Sequence, residues 1–252
     1  MRRLFPLIIA TPALASPTFS VTFNEADFSF TAAEKAALSG HFIEAGRLWA
    51  ERIDLTSDSS IEIQITANNA FPRMTGRSFT SSFAGTFAGR NIFEQGMAAE
   101  LRTGTDPNGS DPDVDITVSA GYLRNELWLD PDPASRTAAV PTNRTDAMSV
   151  AIHEIGHAIA YNGWADLSTG TPPETFYSTF DRWITPTTEG IPLPVFAGPA
   201  VLGVRETAPD LTVGNIHHWA NPVARASSSS TPDLDDAVPD PTHYPTHYPT
   251  HN

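Results

Sequence analysis

The stretch that decides how the chain is interpreted is VAIHEIGHAIAYNGW, residues 150–164. Apolar side chains in it and just before it recur at the spacing of one helix face: Met148, Ile152, Ile155 and Ile159. This pattern predicts an α-helix over residues 145–162, closed by Asn162 and Gly163, because asparagine and glycine favour helix C-termini. The helical repeat therefore determines which polar residues of this segment lie on the same face and can act together.

His153, Glu154 and His157 form an H-E-x-x-H motif on this helix. A separation of four residues puts both imidazoles on one face, one turn apart, where each can offer a neutral nitrogen to one Zn²⁺. Glu154 is then placed to take a proton from a water molecule on the zinc and to return it to the leaving amine. The motif predicts a zinc-dependent endopeptidase in which Glu154 is the general base.

A catalytic zinc site needs a third protein ligand and one open position. Acidic candidates follow the helix: Asp166, Glu174 and Asp181. His217 and His218 lie further along the chain and precede a tryptophan. Two adjacent histidines beside an aromatic residue do not suit a core, because a buried imidazole needs polar partners. We predict His153, His157 and His218 as the ligands, with His217 or an acidic residue such as Asp181 as alternatives.

Residues 150–164 resemble the active-site helix of the metzincin-type zinc peptidases. In most metzincins the third histidine comes six residues after the second, a position that Gly163 occupies here. In leishmanolysin-like metzincins a long insertion separates the helix from a third histidine that is followed by tryptophan. His218 and Trp219 match that arrangement, which is a further reason for choosing His218. The resemblance covers residues 19–222.

The resemblance implies an α+β fold of the zincin or metzincin kind, with a twisted mixed sheet, long helices and an irregular C-terminal half. It also implies an edge strand that lies antiparallel to the bound peptide. Our candidate for that strand is ELWL, residues 126–129, which would bind substrate by accepting it as an added strand. An ordinary edge strand is the alternative for this segment.

One feature of the family is missing after the third histidine. Metzincins carry a methionine-containing turn beneath the metal, whereas no methionine follows His218 in this chain. Residues that support the ligands normally tune metal affinity, so this departure favours one alternative, an exported non-catalytic binding protein with a degraded metal site. Another alternative is a zinc hydrolase that does not cleave peptides. The intact Glu154 favours an enzyme, because a binding protein has no use for a general base.

Charge and composition exclude several classes of function. The 252 residues contain 15 Lys and Arg against 29 Asp and Glu, which gives a net charge of −14. Nucleic acids and anionic membranes are bound through basic clusters, so we expect neither as a partner. The absence of cysteine excludes thiol catalysis and cysteine zinc ligands. The expected partner is a peptide or protein substrate, and the sequence leaves the oligomeric state open.

The two ends of the chain differ from its middle. The first residues, MRRLFPLIIATPALA, combine a basic start, an apolar run and a small-x-small cleavage site, which predicts a signal peptide over residues 1–15 and a secreted or periplasmic protein. No later apolar run is long enough to insert across a bilayer. Residues 16–225 form the predicted zinc metallopeptidase domain. Residues 226–252, with a PTHY repeat, are expected to be a disordered low-complexity tail.

Weaker patterns predict the other elements. Alternating apolar residues predict strands over residues 19–23, 61–66, 116–122 and 126–129. Helical spacing predicts further helices over residues 31–53, 92–101 and 171–184. Thr31 and Glu34 predict a capping box at the start of the first of these helices, and Gly104 marks the end of the second.

A polar loop between the predicted second helix and the next strand carries several oxygen ligands: Asp106, Asn108, Asp111, Asp113 and Asp115. These side chains could bind Ca²⁺, but their spacing does not fit an EF-hand loop. We therefore favour a solvated turn over a calcium site at this loop.

Overall fold

Residues 17–53, 55 and 58–185 are described by a computed structural model, which also gives the backbone of three later segments, Val195–Phe196, Leu211–Thr212 and Asn215–Trp219. The predicted signal peptide and the predicted C-terminal tail lie outside the described residues. Among the described helices, none combines the length and the apolar character needed to cross a bilayer.

The described strands are, in chain order, β1 (Thr18–Asn24), β2 (Ser60–Ala67), β3 (Met74–Ser78), β4 (Ser81–Phe87), β5 (Arg90–Gln95), β6 (Val114–Val118), β7 (Leu127–Trp128), β8 (Thr145–Asp146), β9 (Phe176–Ser178), β10 (Ile184–Thr185), β11 (Val195–Phe196), β12 (Leu211–Thr212) and β13 (Asn215–Trp219). The α-helices are α1 (Ala32–Ala50), α2 (Gly96–Thr103) and α3 (Ala147–Ile159). A π-helical turn covers Tyr122–Glu126, and a 3₁₀ turn covers Asp181–Trp183.

Four strands form the central sheet in the order β1-β2-β6-β3. Strands β1, β2 and β6 run parallel, and β3 forms one edge, antiparallel to β6. The predicted alternation in β2 is confirmed, because Ile61, Ile63 and Ile65 are fully buried while the residues between them are partly exposed. The mixed sheet and the helices packed on it confirm the α+β class.

Helix α1 begins with the predicted capping box. The Thr31 hydroxyl accepts a hydrogen bond from the Glu34 N–H, and the Glu34 carboxylate accepts one from the Thr31 N–H. The helix then runs unbroken to Ala50, short of the predicted end at residue 53. Gly46 allows β1 to pack closely on this helix, since a Cβ at that position would lie 2.5 Å from the Phe19 ring.

Helix α3 is mostly buried and packs against α1 and β3. It begins at Asp146, whose carboxylate accepts hydrogen bonds from two N–H groups of the first turn. The Trp49 indole of α1 donates to the Ile152 carbonyl at 2.8 Å and ties the two helices together. The helix predicted over residues 145–162 is thus confirmed over Ala147–Ile159 and ends earlier than expected.

Two predicted helices need correction. The segment predicted as a helix from residue 92 begins as strand β5, and α2 follows only after it. Gly104 does end α2, with a positive φ of 68°. The helix predicted over residues 171–184 is wrong, because β9 pairs with β5 and a 3₁₀ turn follows. The aromatic residues of this segment have helical spacing, but backbone hydrogen bonding to β5 makes the segment a strand.

Strands β3 and β4 are absent from the sequence-based predictions. Their sequences, MTGRS and SSFAGTF, contain glycine and polar residues that hide the alternation typical of a strand. Strand β4 joins a second sheet of order β4-β5-β9. Strand β3 matters more for the candidate site, because it lies against α3.

Candidate metal centre

The two histidines of the H-E-x-x-H motif converge. The Nε2 atoms of His153 and His157 lie 3.0 Å apart, and the two rings are nearly perpendicular, at 89°. Two nitrogens that share one tetrahedral zinc ion at 2.0–2.1 Å stand about 3.3 Å from each other. The separation in the structure is within a few tenths of an ångström of that value, so the pair fits a shared metal ion.

The backbone of Tyr161 fixes the tautomer of His157. The Nδ1 atom of His157 lies 2.7 Å from the Tyr161 carbonyl oxygen. A carbonyl can only accept, so Nδ1 carries the proton and Nε2 keeps the lone pair that a metal needs. Burial also lowers the pKa of His157, which favours the neutral ring. The end of α3 creates this contact, since the Ala160 and Tyr161 N–H groups share the Gly156 carbonyl.

Glu154 lies under the edge of the central sheet. Its side chain is buried, and its carboxylate accepts a hydrogen bond from the Gly76 N–H of β3. Burial raises the pKa of Glu154 to about 8, against the opposing effect of that hydrogen bond. A Cβ at residue 76 would lie 2.6 Å from the Glu154 carbonyl oxygen and 2.7 Å from its Cβ. Glycine therefore lets the strand approach the helix this closely.

Strand β3, rather than residues 126–129, is the antiparallel edge of the central sheet. The predicted edge strand is wrong, because residues up to Glu126 form a π-helical turn and only Leu127–Trp128 is extended. That short strand pairs with β8, immediately before α3, so it helps to start the helix instead of bordering the sheet. A glycine inside a strand is a signal of close backbone approach and marks β3 in the sequence.

Asp181 organises the loop that follows α3. It is fully buried, and its carboxylate accepts hydrogen bonds from the N–H groups of Trp164 at 2.8 Å, Ala165 at 3.3 Å and Ser178 at 3.2 Å. A Cβ at Gly163 would collide with the same carboxylate. These backbone donors use the oxygens that a metal would need, so the contacts give Asp181 a structural role.

The other acidic alternatives are exposed. Asp166 accepts hydrogen bonds from the N–H groups of Ser168 and Thr169 in a surface turn, and Glu174 is also exposed. Within the part of the chain that the structure describes, no acidic residue joins His153 and His157 in a three-ligand cluster.

The preferred third ligand lies on a short hairpin near the C-terminus. Strand β13 carries His217 and His218 and pairs antiparallel with β12. Only the backbone of this hairpin belongs to the described structure. The assignment of His218 as a ligand, with His217 as the alternative, therefore stays a prediction.

A different set of potential ligands, all of them oxygen atoms, meets at the start of β6. Asp106 and Asp113 of the polar loop come together with Glu100 of α2, and one oxygen from each lies within 4.8 Å of the others. Asp115 instead forms an ion pair with Arg77 on β3. The loop residues alone do not predict this cluster, because Glu100 comes from a neighbouring helix that sequence spacing does not place there.

The chain therefore brings two imidazole nitrogens together beside a buried glutamate, and it holds that glutamate against an antiparallel sheet edge. Such a donor set suits a borderline-soft cation such as zinc better than calcium or magnesium. In comparisons with protein-family models, curated proteins and solved structures, the chain matches no family, no curated protein and no solved structure.

Proposed function

We propose that the protein is a zinc-dependent endopeptidase with a zincin or metzincin-like catalytic domain. The observation that carries the proposal is the pair of Nε2 atoms of His153 and His157, 3.0 Å apart on the helix that also holds the buried Glu154. The proposed zincin or metzincin-like fold is supported by the mixed sheet, whose antiparallel edge strand lies beside this helix.

His153 and His157 would hold the zinc ion through Nε2, with His218 as the proposed third ligand. The hydrogen bond from His157 Nδ1 to the Tyr161 carbonyl supports this role, since it fixes the ring in the ligating tautomer. A bound zinc ion supplies Lewis-acid chemistry, because it polarises a carbonyl oxygen and lowers the pKa of a water molecule.

Glu154 moves the proton in this proposal. The positive charge of a zinc ion held by the neighbouring histidines would favour the ionised form of Glu154. The carboxylate would then take a proton from the attacking water and give it to the nitrogen of the leaving amine as the peptide bond breaks. The Gly76 N–H orients the carboxylate for both steps, and the burial of Glu154 keeps competing water away from it. General acid–base assistance of this kind contributes about 10²–10⁴-fold to a rate.

The peptide is proposed to bind along the outer side of β3. A peptide added on either side of Gly76, whose N–H donates to the Glu154 carboxylate, would pair its backbone with β3 and lie next to that carboxylate. This arrangement would explain recognition of an extended main chain, which fits an endopeptidase acting on peptide or protein substrates.

Export is part of the same proposal. We place a signal peptide at residues 1–15, the metallopeptidase domain at residues 16–225 and a low-complexity tail at residues 226–252, on the sequence patterns given above. N-terminal sequencing of the exported product should give Ser16 as the first residue. A product that begins at Met1 would contradict the signal peptide.

An exported binding protein with a degraded metal site is the second candidate. The observation that favours it is the lack of any methionine after His218, where the resemblance implies a supporting turn. A zinc hydrolase with a substrate other than peptides shares the motif and is distinguished by its substrate alone.

A peptide-library assay with two matched variants tests the proposal. Glu154→Gln should keep its zinc and lose at least about 100-fold of the cleavage rate. Glu126→Gln changes an exposed glutamate outside the site and should leave the rate unchanged. Full activity in Glu154→Gln would contradict the mechanism. Zinc binding with no cleavage of any peptide by the unmodified protein would favour the alternatives.

A further inference from the structure

Three carboxylates meet at the end of the central sheet that is formed by the start of β2 and β6. Glu100 extends from α2, Asp113 lies immediately before β6, and Asp106 belongs to the loop between them. One oxygen of each carboxylate lies within 4.8 Å of the other two. Within the described residues, no lysine or arginine forms an ion pair with any of the three. The cluster therefore concentrates negative charge without a basic side chain to balance it.

Two of these carboxylates are buried and only half satisfied. Glu100 is 3% exposed and Asp113 is 0% exposed. One oxygen of Glu100 accepts from the Ser60 N–H, and one oxygen of Asp113 accepts from the Glu62 N–H. The second oxygen of each, Glu100 Oε2 and Asp113 Oδ1, is buried and has no hydrogen-bond donor. Buried carboxylate oxygens without a donor or a cation are costly, so these atoms need either a cation or a proton that Glu100 and Asp113 share through a hydrogen bond.

A third orphaned oxygen lies in the same loop. The side-chain oxygen of Asn108 is also buried without a donor, while its amide nitrogen donates to the Asp111 carbonyl. Among the described residues, Glu100, Asn108 and Asp113 provide most of the buried side-chain polar atoms that lack a partner. An amide oxygen is an ordinary ligand for a hard cation, so Asn108 has the same ligand chemistry as the three carboxylates.

The electrostatics of the cluster require either a cation or a proton. Burial raises the pKa of Asp113 to about 8, and the neighbouring Glu100 carboxylate raises it further. Burial likewise raises the pKa of Glu100, to which nearby Asp106 and Glu62 contribute. Glu100 and Asp113 can share a proton, or all three carboxylates can stay ionised around a cation. The exposed Asp106 distinguishes these states, because a proton shared by the buried pair has no need of it.

We propose that Glu100, Asp106 and Asp113 bind one calcium ion that fastens the loop between α2 and β6 to the central sheet. Oxygens that share Ca²⁺ at 2.3–2.6 Å stand at most about 5 Å apart, and the cluster is within that limit. An all-oxygen set with two buried carboxylates suits Ca²⁺ better than Mg²⁺, which keeps several waters and demands octahedral geometry. Zinc fits this cluster less well than calcium, because zinc sites are built mainly from imidazole and thiolate ligands and hard cations prefer oxygen.

This site is separate from the proposed zinc centre but linked to it through β3. The Ser78 hydroxyl at the end of β3 donates to the Asp113 carbonyl and accepts from the Met97 N–H of α2. Gly76, two residues earlier on the same strand, contacts Glu154. A calcium ion at the cluster would therefore stabilise the edge strand that the proposed peptidase site uses.

Calcium titration of the full chain tests the proposal. The purified full chain is dialysed extensively into calcium-free buffer and then titrated with CaCl₂ by calorimetry, and thermal unfolding is followed in parallel. We expect one calcium ion per chain and a midpoint of unfolding that rises by about 5 °C at saturation. Asp106→Asn should weaken calcium binding at least 10-fold without unfolding the protein, because Asp106 is exposed. Asp111→Asn, an exposed loop residue outside the cluster, is the matched control and should bind like the unmodified chain.

Asp113→Asn provides a second variant that removes a buried ligand. It should abolish the calcium response and make the unfolding midpoint independent of CaCl₂. The proposal is overturned if 10 mM CaCl₂ gives neither heat nor a shift of the midpoint, or if Asp111→Asn weakens binding as much as Asp106→Asn. An equal shift with MgCl₂ would contradict the choice of calcium. A midpoint that rises on acidification and ignores CaCl₂ would establish a shared proton in place of the ion.

Discussion

The backbone N–H of Gly76 donates a hydrogen bond to the carboxylate of Glu154, and the two residues lie so close that a Cβ at position 76 would clash. Gly76 belongs to the antiparallel edge of the central sheet, whereas Glu154 lies in the middle of α3. The contact therefore joins the proposed peptide-binding strand to the proposed general base. Any shift of one changes the position of the other.

Gly76→Ala should reduce both stability and activity. The new methyl group would lie 2.6 Å from the Glu154 carbonyl oxygen, so the strand or the helix must move. We expect a loss of about 1–3 kcal/mol in the free energy of unfolding and about 100-fold in kcat/KM. Gly121→Ala is the control, because no atom lies within 4 Å of its Cβ position. Equal kcat/KM for the two variants would show that the contact does not position Glu154.

His218→Ala should weaken zinc binding far more than His217→Ala. The two histidines are adjacent in the sequence, and only His218 directly precedes Trp219 in the arrangement on which the proposed ligand set rests. We expect the zinc dissociation constant to rise more than about 100-fold in His218→Ala and to change little in His217→Ala. Competition with a chromogenic chelator measures both values. The reverse order would transfer the role to His217.

Asp181→Ala should destabilise the fold and leave zinc stoichiometry unchanged. Three backbone N–H groups would lose their acceptor in a fully buried position, which costs about 3 kcal/mol. The control is Asp166→Ala, which removes acceptors from an exposed turn and should cost about 1 kcal/mol or less. Denaturant unfolding gives both values. Loss of zinc from folded Asp181→Ala would instead assign this carboxylate to the metal.

His41 should make the protein sensitive to acid. It is fully buried, and its Nδ1 donates to the Ala37 carbonyl while Nε2 accepts from the Asp130 N–H. Burial lowers the pKa of His41 below its ordinary value of 6.5. As the pH falls, the unfolded chain therefore binds a proton on His41 before the folded chain does. The stabilising contribution of His41 to the free energy of unfolding is present above pH 6.5 and is lost as the pH falls below that value.

His41→Gln isolates this effect, because the proposed zinc ligands titrate in both proteins and cancel in the comparison. We expect the variant to be about 1–2 kcal/mol less stable at pH 7.5 and to lose less stability between pH 7 and pH 5 than the unmodified chain. Urea unfolding at each pH measures the difference. Parallel pH profiles for the two proteins would exclude His41 as the acid-sensitive group.

The parts of the structure that the sequence predicts correctly depend on local patterns. The capping box of Thr31 and Glu34 satisfies backbone donors within one turn, so it is visible in four consecutive residues. The alternation in β2 follows from a strand buried on one side of the sheet. The convergence of His153 and His157 needs only the helical repeat.

The parts that sequence patterns do not predict depend on contacts between distant segments. Strand β9 forms because β5 offers a free edge, and this pairing overrides the helical spacing of its aromatic residues. Gly76 meets Glu154 only after the sheet and α3 have packed. Glu100 joins Asp113 through the position of α2 beside the sheet. No local periodicity carries information of this kind.

The central claim is tested most directly by the zinc content of the purified, folded chain, measured by elemental analysis after extensive dialysis. The convergence of His153 and His157 together with a third ligand predicts one tightly held zinc ion per chain. Near-UV circular dichroism on the same sample checks that the protein is folded. One zinc per chain is the result that the account predicts, and a folded chain that retains no zinc would contradict it.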